Sequence, residues 1–90
     1  AELEALLLSH PLVADAAVIP SPDADAGEIP VAFVVVKESV AAEDIIDFVR
    51  ERVAPHKRIR RVEFVDQIPK NAGKILRREL VERVRKHVRQ

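Results

Sequence analysis

Leu3, Leu6 and Leu7 recur at the steps of one helical face, and Glu2 and Glu4 lie among them. This spacing predicts a short helix over Glu2 to Ser9. Pro11 ends it, because the residue before a proline is pushed out of the helical region. Val13 to Ile19 holds Val13, Ala17, Val18 and Ile19 and reads as a strand. Pro20, Ser21, Pro22, Asp23 and Gly27 then mark a long turn. The run Val31-Ala32-Phe33-Val34-Val35-Val36 has no polar interruption and is short and rich in β-branched residues. It predicts a central strand buried on both faces.

A second helix starts at or near Ser39. Glu43 and Asp44 fall in its first turn, where the helix dipole favours anions. Ile45, Ile46, Phe48, Val49 and Val53 form its buried stripe, and Pro55 ends it. From Arg61 to Val65, Val62 and Phe64 alternate with Arg61 and Glu63, as in a third strand. Pro69, Asn71 and Gly73 punctuate a loop. The last helix runs from about Leu76 to Val88, with Leu76, Leu80, Val84 and Val88 along one side and Val81 beside them. Glu79 with Arg83, and Glu82 with Lys86, are spaced as supporting ion pairs on the other side. The order helix, strand, strand, helix, strand, loop, helix predicts an α+β fold: a small three-stranded sheet covered by helices.

Ninety residues suit one domain with one modest core, so residues 1–90 are read as a single unit. The helical pattern starts at once after Ala1, as in a piece excised from a longer chain. Apolar residues make up 48% and charged residues 33%, which suits a globular chain. No cysteine occurs, so disulfides and thiolate metal sites are excluded and a reducing, cytoplasmic setting is compatible. No apolar run reaches the length of a membrane span.

The net charge of zero conceals an asymmetry. Residues 1–49 carry ten acids and one base, Lys37; residues 50–90 carry fourteen bases and five acids. The halves, −9 and +9, can attract each other across the fold, and the basic half can face an anionic ligand such as a phosphate. The bland alternative is two solvated faces.

Several chemistries fall away. His10, His56 and His87 lie far apart without a second ligand at metal spacing, so they are read as ordinary surface or turn histidines and no metal site is expected. No G-x-S-x-G occurs. Gly73-Lys74 superficially resembles a phosphate-binding P-loop, but Ile68 stands where that motif needs glycine and Ile75 where it needs a hydroxyl. The acids Asp23 with Asp25, Glu43 with Asp44, and Asp66 are explained by turns and a helix start.

The stretch from Val62 to Leu80 is the informative one. A strand ends, a loop turns through Pro69, Lys70, Asn71 and Gly73, and Lys74 sits at the loop's end before a helix. Glycine permits positive φ and a close approach of backbone to another surface. A lysine is a compact charge on a long stem, suited to neutralising anionic oxygens outside its own domain. From residue types alone, a solvated lysine in a helix's first turn explains Lys74 equally well.

This segment resembles the closing motif of the acyl-adenylate-forming enzymes: acyl-CoA synthetases, 4-coumarate–CoA ligases, luciferases and peptide-synthetase adenylation domains. The pattern is Pro69-Lys70, a short polar loop, Gly73-Lys74, aliphatic Ile75 and an Arg-rich helix start at Arg77-Arg78. Ala1-Glu2-Leu3-Glu4 to His10-Pro11, Pro22-Asp23 with Gly27 to Val34, and Ala54-Pro55-His56-Lys57-Arg58 resemble further stretches of the family's C-terminal domain. The likeness spans nearly the whole chain and is strongest to 4-coumarate–CoA ligase and related acyl-CoA ligases.

The resemblance implies a mobile C-terminal lid whose large N-terminal adenylation domain and hinge lie outside this chain. The parent is implied to use ATP, Mg²⁺ and coenzyme A, making an acyl-adenylate and then a thioester, with ATP or acyl-adenylate and coenzyme A at the domain interface. Lys74 matches the family's catalytic lysine of the first step, and Pro69, Lys70, Asn71 and Gly73 form its supporting loop. Lys57, Arg58 and Arg78 are weaker candidates for phosphate or coenzyme A contacts. Arg77 is read as a solvated charge. The fragment is expected to bind no cofactor and to be inactive alone. Two alternatives stand beside this reading: a nucleic-acid-binding module using the basic half, or an excised domain without activity. Against a nucleic-acid partner stand the three aromatic residues, none of them tyrosine or tryptophan, and the acidic half; no membrane partner is expected. The chain departs from the family pattern at three points: Asn71 and Ala72 alone separate Lys70 from Gly73, where three residues are usual; His56 replaces a common tyrosine; and Pro20 replaces a common glycine.

Overall fold

In a computed structural model, which describes residues 2–23, 25 and 27–89, the elements run α1 (Glu2–Leu8), β1 (Val13–Asp23), β2 (Gly27–Val36), α2 (Ala42–Arg50), a 3-10 turn (Pro55–Lys57), β3 (Arg61–Phe64), β4 (Lys70–Asn71), β5 (Lys74–Ile75) and α3 (Arg77–Arg89). β1, β2 and β3 form one sheet in that order, with β1 antiparallel and β3 parallel to β2. The predicted α+β class and three-stranded sheet are therefore present. β4 and β5 form a separate hairpin.

The unbroken apolar run in β2 serves both sides of the sheet. Ala32 and Val34 join Leu7, Val13, Ala16, Ile45, Val49 and Ile59 on the side covered by α1 and α2. Val31 and Phe33 join Ala17, Ile19, Ile68, Leu80 and Val84 on the side covered by α3. Each large side chain so buried contributes about 1.5–3 kcal/mol relative to exposure. The ion pairs Arg50–Asp47, Arg52–Glu51 and Lys57–Glu2 are each at least half exposed at one partner and hold far less. Val13 and Ala16 share a face although strand alternation would separate them. The register shift between Val13 and Asp15 supplies the extra residue that turns Val13 over.

The first hairpin corrects the expected long turn over Pro20–Gly27. β1 continues to Asp23 and β2 begins at Gly27, with Pro20 opposite Pro30. The prolines fit because of where their missing N–H groups would point. The Val18 amide faces away from β2 and bonds to Glu4. Pro20 and Pro22 share that outward phase of an edge strand, so no ladder bond is lost. Pro30 points the other way, and the pairing with β3 begins only at Val31.

Smaller differences follow local chemistry. α2 starts at Ala42, after an Ala41 cap that makes no side-chain hydrogen bond and lies two residues past Ser39; Glu43 and Asp44 occupy its first turn. It ends at Arg50, and Pro55 opens the 3-10 turn instead of closing the helix. Phe64 ends the edge strand β3 and is 43% exposed. α3 begins after Leu76, which is 37% exposed, so its buried stripe starts at Leu80 and Val84. The side chains of Val88 and Lys86, read as part of that helix's stripe and pairing, lie outside the described residues, as do those of His56, His87 and Asp23.

Candidate functional site

The loop predicted at residues 69–73 is a two-residue β-hairpin. Lys70 pairs with Ile75 and Asn71 with Lys74, closing around Ala72 and Gly73. Their φ angles are 53° and 81°. Positive φ at both central residues belongs to the type I′ turn, whose twist matches paired strands. The turn's two central residues, Ala72 and Gly73, lie between the paired Asn71 and Lys74, so the short chain from Lys70 to Lys74 closes as a tight hairpin. A Cβ on Gly73 would meet nothing within 4 Å. Within the domain, then, glycine is required for its φ and not for a close approach. Ala72 accepts the same region at a cost of about 1–2 kcal/mol.

A lone two-stranded hairpin is marginal in water, and this one is held from below. Ile68 is buried and Ile75 packs against the α3-side core. The Leu76 amide donates to the Pro69 carbonyl at 2.8 Å and extends the pairing by one step. Lys70 reaches back to Asp15 on β1, Nζ to Oδ2 2.6 Å. Lys74, on the opposite strand, is exposed, and among the described residues its ammonium engages no acceptor. The hairpin thus neutralises one lysine within the domain and presents the other.

The strongest polar feature was not anticipated. Arg77, expected as a solvated charge, grips Glu4 of α1 through two hydrogen bonds, Nη1 to Oε2 at 2.8 Å and Nη2 to Oε1 at 3.0 Å. The same Nη1 donates to the Val18 carbonyl at 2.8 Å, and Glu4 Oε2 accepts the Val18 amide at 2.8 Å. Both free backbone groups of Val18, on the open edge of β1, are therefore satisfied by one carboxylate and one guanidinium that also bind each other. The Glu4 side chain is only 12% exposed. Burial pushes its carboxyl up, but the Arg77 and Val18 hydrogen bonds outweigh this and hold it below the usual range. Arg77 is raised in turn by Glu4. The contact spans most of the chain, so local pattern carries no trace of it. The opposite charges of the two halves were the only hint, and they do meet: Lys57 with Glu2, Lys70 with Asp15 and Arg77 with Glu4 each join the basic half to the acidic one.

The remaining candidates are dispersed. Lys57, in the 3-10 turn, bonds to Glu2 at 2.8 Å on the α1 side, and that contact lowers the Glu2 carboxyl. Arg58 follows it, exposed. Arg78 is exposed on the first turn of α3 and lines a shallow groove with Pro69 and Glu79. His10 caps the turn after α1, its Nδ1 accepting the Leu12 amide, with its ring edge-on to Phe48 at 4.7 Å. Among the described residues no three His, Cys, Asp or Glu side chains gather as a metal site, and no helix is long and apolar enough to cross a membrane.

Fold and site together define a small α+β domain that holds one unpaired lysine out on a tight hairpin. The chain belongs to the AMP-binding enzyme C-terminal domain family, whose profile matches residues 2–74 and so ends on that lysine. It is 58% identical over 85 residues to 4-coumarate–CoA ligase-like 5 of Oryza sativa subsp. japonica, a match covering 91% of this chain and 16% of the relative. Its fold is similar to that of a Mycobacterium tuberculosis fatty acyl CoA synthetase, with TM-score 0.88 and 35% identity over 96% of this chain and 18% of the other. It is likewise similar to o-succinylbenzoate CoA synthetase from Bacillus subtilis, solved with its acyl-adenylate intermediate, with TM-score 0.82 and 38% identity over 88% and 16%. The chain thus spans about a sixth of the length of the relatives it matches.

Proposed function

We propose that this domain is the mobile C-terminal lid of an ATP-dependent carboxylic acid–CoA ligase that forms AMP, and that Lys74 serves its first half-reaction. The observation that carries this is the placement of Lys74: exposed, unpaired among the described residues, and raised on a hairpin whose other charge, Lys70, is tied to Asp15.

In adenylate formation a carboxylate oxygen of the acid attacks the α-phosphorus of ATP, the bond to the bridging oxygen breaks, and pyrophosphate leaves. Negative charge gathers on the attacking and bridging oxygens. An ammonium held rigidly between them stabilises that charge without reorganisation and keeps the reactants in line. The coenzyme A thiol then attacks the acyl carbonyl and AMP departs. In this reading the domain turns away between the steps, and Lys74 plays no part in the second. The large N-terminal domain supplies the pockets for ATP and the acid. The Mg²⁺ implied for the parent would neutralise charge on ATP, and no residue of this chain is assigned to it. Lys57, Arg58 and Arg78 remain candidates for nucleotide or coenzyme A phosphates; for Lys57 this requires release from Glu2. A cytoplasmic setting and inactivity of the domain alone belong to the same proposal.

The test separates the half-reactions in the full-length parent. Lys74→Ala should lower ATP–pyrophosphate exchange by about a hundredfold or more, while thioester formation from supplied acyl-adenylate persists. Equal loss of both would remove Lys74 from its role.

A further inference from the structure

The joint between the hairpin and α3 is held by few side chains. After Lys74, Ile75 is half-buried, while Leu76, Arg78 and Glu79 are exposed, and α3 is not packed down until Leu80. Over that interval one polar side chain is fastened to the body of the domain: Arg77, with two hydrogen bonds to Glu4 and one to the Val18 carbonyl. Lys70 holds the other strand through Asp15, but a lysine is a point charge on a flexible stem and fixes distance better than direction. The guanidinium is a planar fork. Bound on one side by both carboxylate oxygens and on another by a backbone carbonyl, it fixes an orientation.

Its partners are themselves held in place by hydrogen bonds and strand pairing. Val18 sits in the paired part of β1. Glu4 is itself locked by the Val18 amide. Arg77 is nevertheless half exposed, at 48%, and an ion pair with such exposure contributes little net stability. Its geometry is thus more consequential than its energy.

We propose that Arg77 and Glu4 are positioning residues for Lys74. Their clamp over the open edge of β1 sets the angle at which the hairpin leaves the sheet, and so the point at which the Lys74 ammonium meets the reacting oxygens. This rests on the reading that Lys74 acts in adenylate formation. Displacement of a catalytic group by about 1 Å costs up to about a hundredfold in rate, so loosening the clamp should register in catalysis before it registers in folding.

The experiment uses the full-length parent with Arg77→Gln and Arg77→Lys. Arg77→Gln should lower the maximal rate of ATP–pyrophosphate exchange by about tenfold to a hundredfold. The KM for ATP and the rate of thioester formation from supplied acyl-adenylate should change little, and Arg77→Lys should recover only part of the loss. In a Lys74→Ala background Arg77→Gln should cost nothing further, because its effect passes through Lys74. Amide exchange at Leu76, whose N–H closes the hairpin on Pro69, should quicken in Arg77→Gln. Should that variant not fold, Glu4→Gln keeps an oxygen for the Val18 amide and is judged by the same measurements. The proposal is overturned if Arg77→Gln leaves exchange intact where Lys74→Ala abolishes it. It is also overturned if both half-reactions fall equally, or if the two substitutions multiply. If Lys74→Ala itself leaves adenylation intact, the reading of Lys74 fails first and the positioning role falls with it.

Discussion

Two basic segments follow prolines in this domain, and they use their lysines in opposite ways. In the turn Pro55–Lys57, Lys57 folds back onto Glu2. In the hairpin Lys70–Ile75, Lys70 folds back onto Asp15, while Lys74 across the strand pair is left without an acceptor among the described residues. Availability is therefore set by which acids the fold brings near and not by residue type, since lysines of both segments were candidates for anion contact, Lys57 the weaker one. Presenting a free charge also needs anchors that are not themselves the charge: Ile68 and Ile75 below, Lys70 on one side and Arg77 on the other.

The contrast breaks most sharply at the lysines. Where Lys74→Ala should nearly abolish overall ligation in the full-length enzyme, Lys57→Ala should leave a large fraction of the rate, since it removes an exposed pair worth at most about 1 kcal/mol. Comparable losses would show that Lys57 exchanges Glu2 for a ligand.

A smaller effect concerns the anchors. Glu4→Leu leaves the Val18 amide without its acceptor and Arg77 without its carboxylate, and should destabilise the domain by about 1–3 kcal/mol in urea unfolding. The pH dependence follows from the same contact. Glu4 has a folded pKa lowered from 4.5, so its contribution is present in full above that value and is lost as pH falls through the depressed one. The unsubstituted protein should lose stability over that acidic window, and Glu4→Gln should lose less.

The smallest effect lies in the turn. Ala72→Asn gives the Asn-Gly pair that type I′ turns favour and relieves a left-handed alanine. It should raise stability by up to about 1 kcal/mol and leave Lys74 function intact. A fall in adenylation with a rise in melting temperature would mean that strain at Ala72 is part of how the lysine is set.

Much of this architecture was legible in the residues. The apolar run of β2 announced a strand buried on both faces, and the stripes of α2 and α3 announced which sides face the sheet. The loop carrying Lys74 was found by its Pro, Asn and Gly. Three features were hidden for physical reasons. Pro20, Pro22 and Pro30 signal a turn unless their missing N–H groups point away from a partner, which depends on strand phase. Ala72 has no intrinsic preference for positive φ, so the two-residue hairpin could not be read from propensity. The Glu4–Arg77 clamp joins residues at opposite ends of the chain and satisfies a backbone edge that exists only once β1 is paired. Net charge by halves was its single trace, and it did not name the residues.

The most direct test is a structure of the full-length parent held before adenylate formation, with ATP and an unreactive analogue of its acid. The Lys74 Nζ should lie within about 3 Å of an oxygen at the α-phosphate or of the acid, with Arg77 still on Glu4. A closed assembly in which that ammonium lies beyond hydrogen-bond reach of both, or in which the hairpin faces solvent, would contradict the role assigned to it.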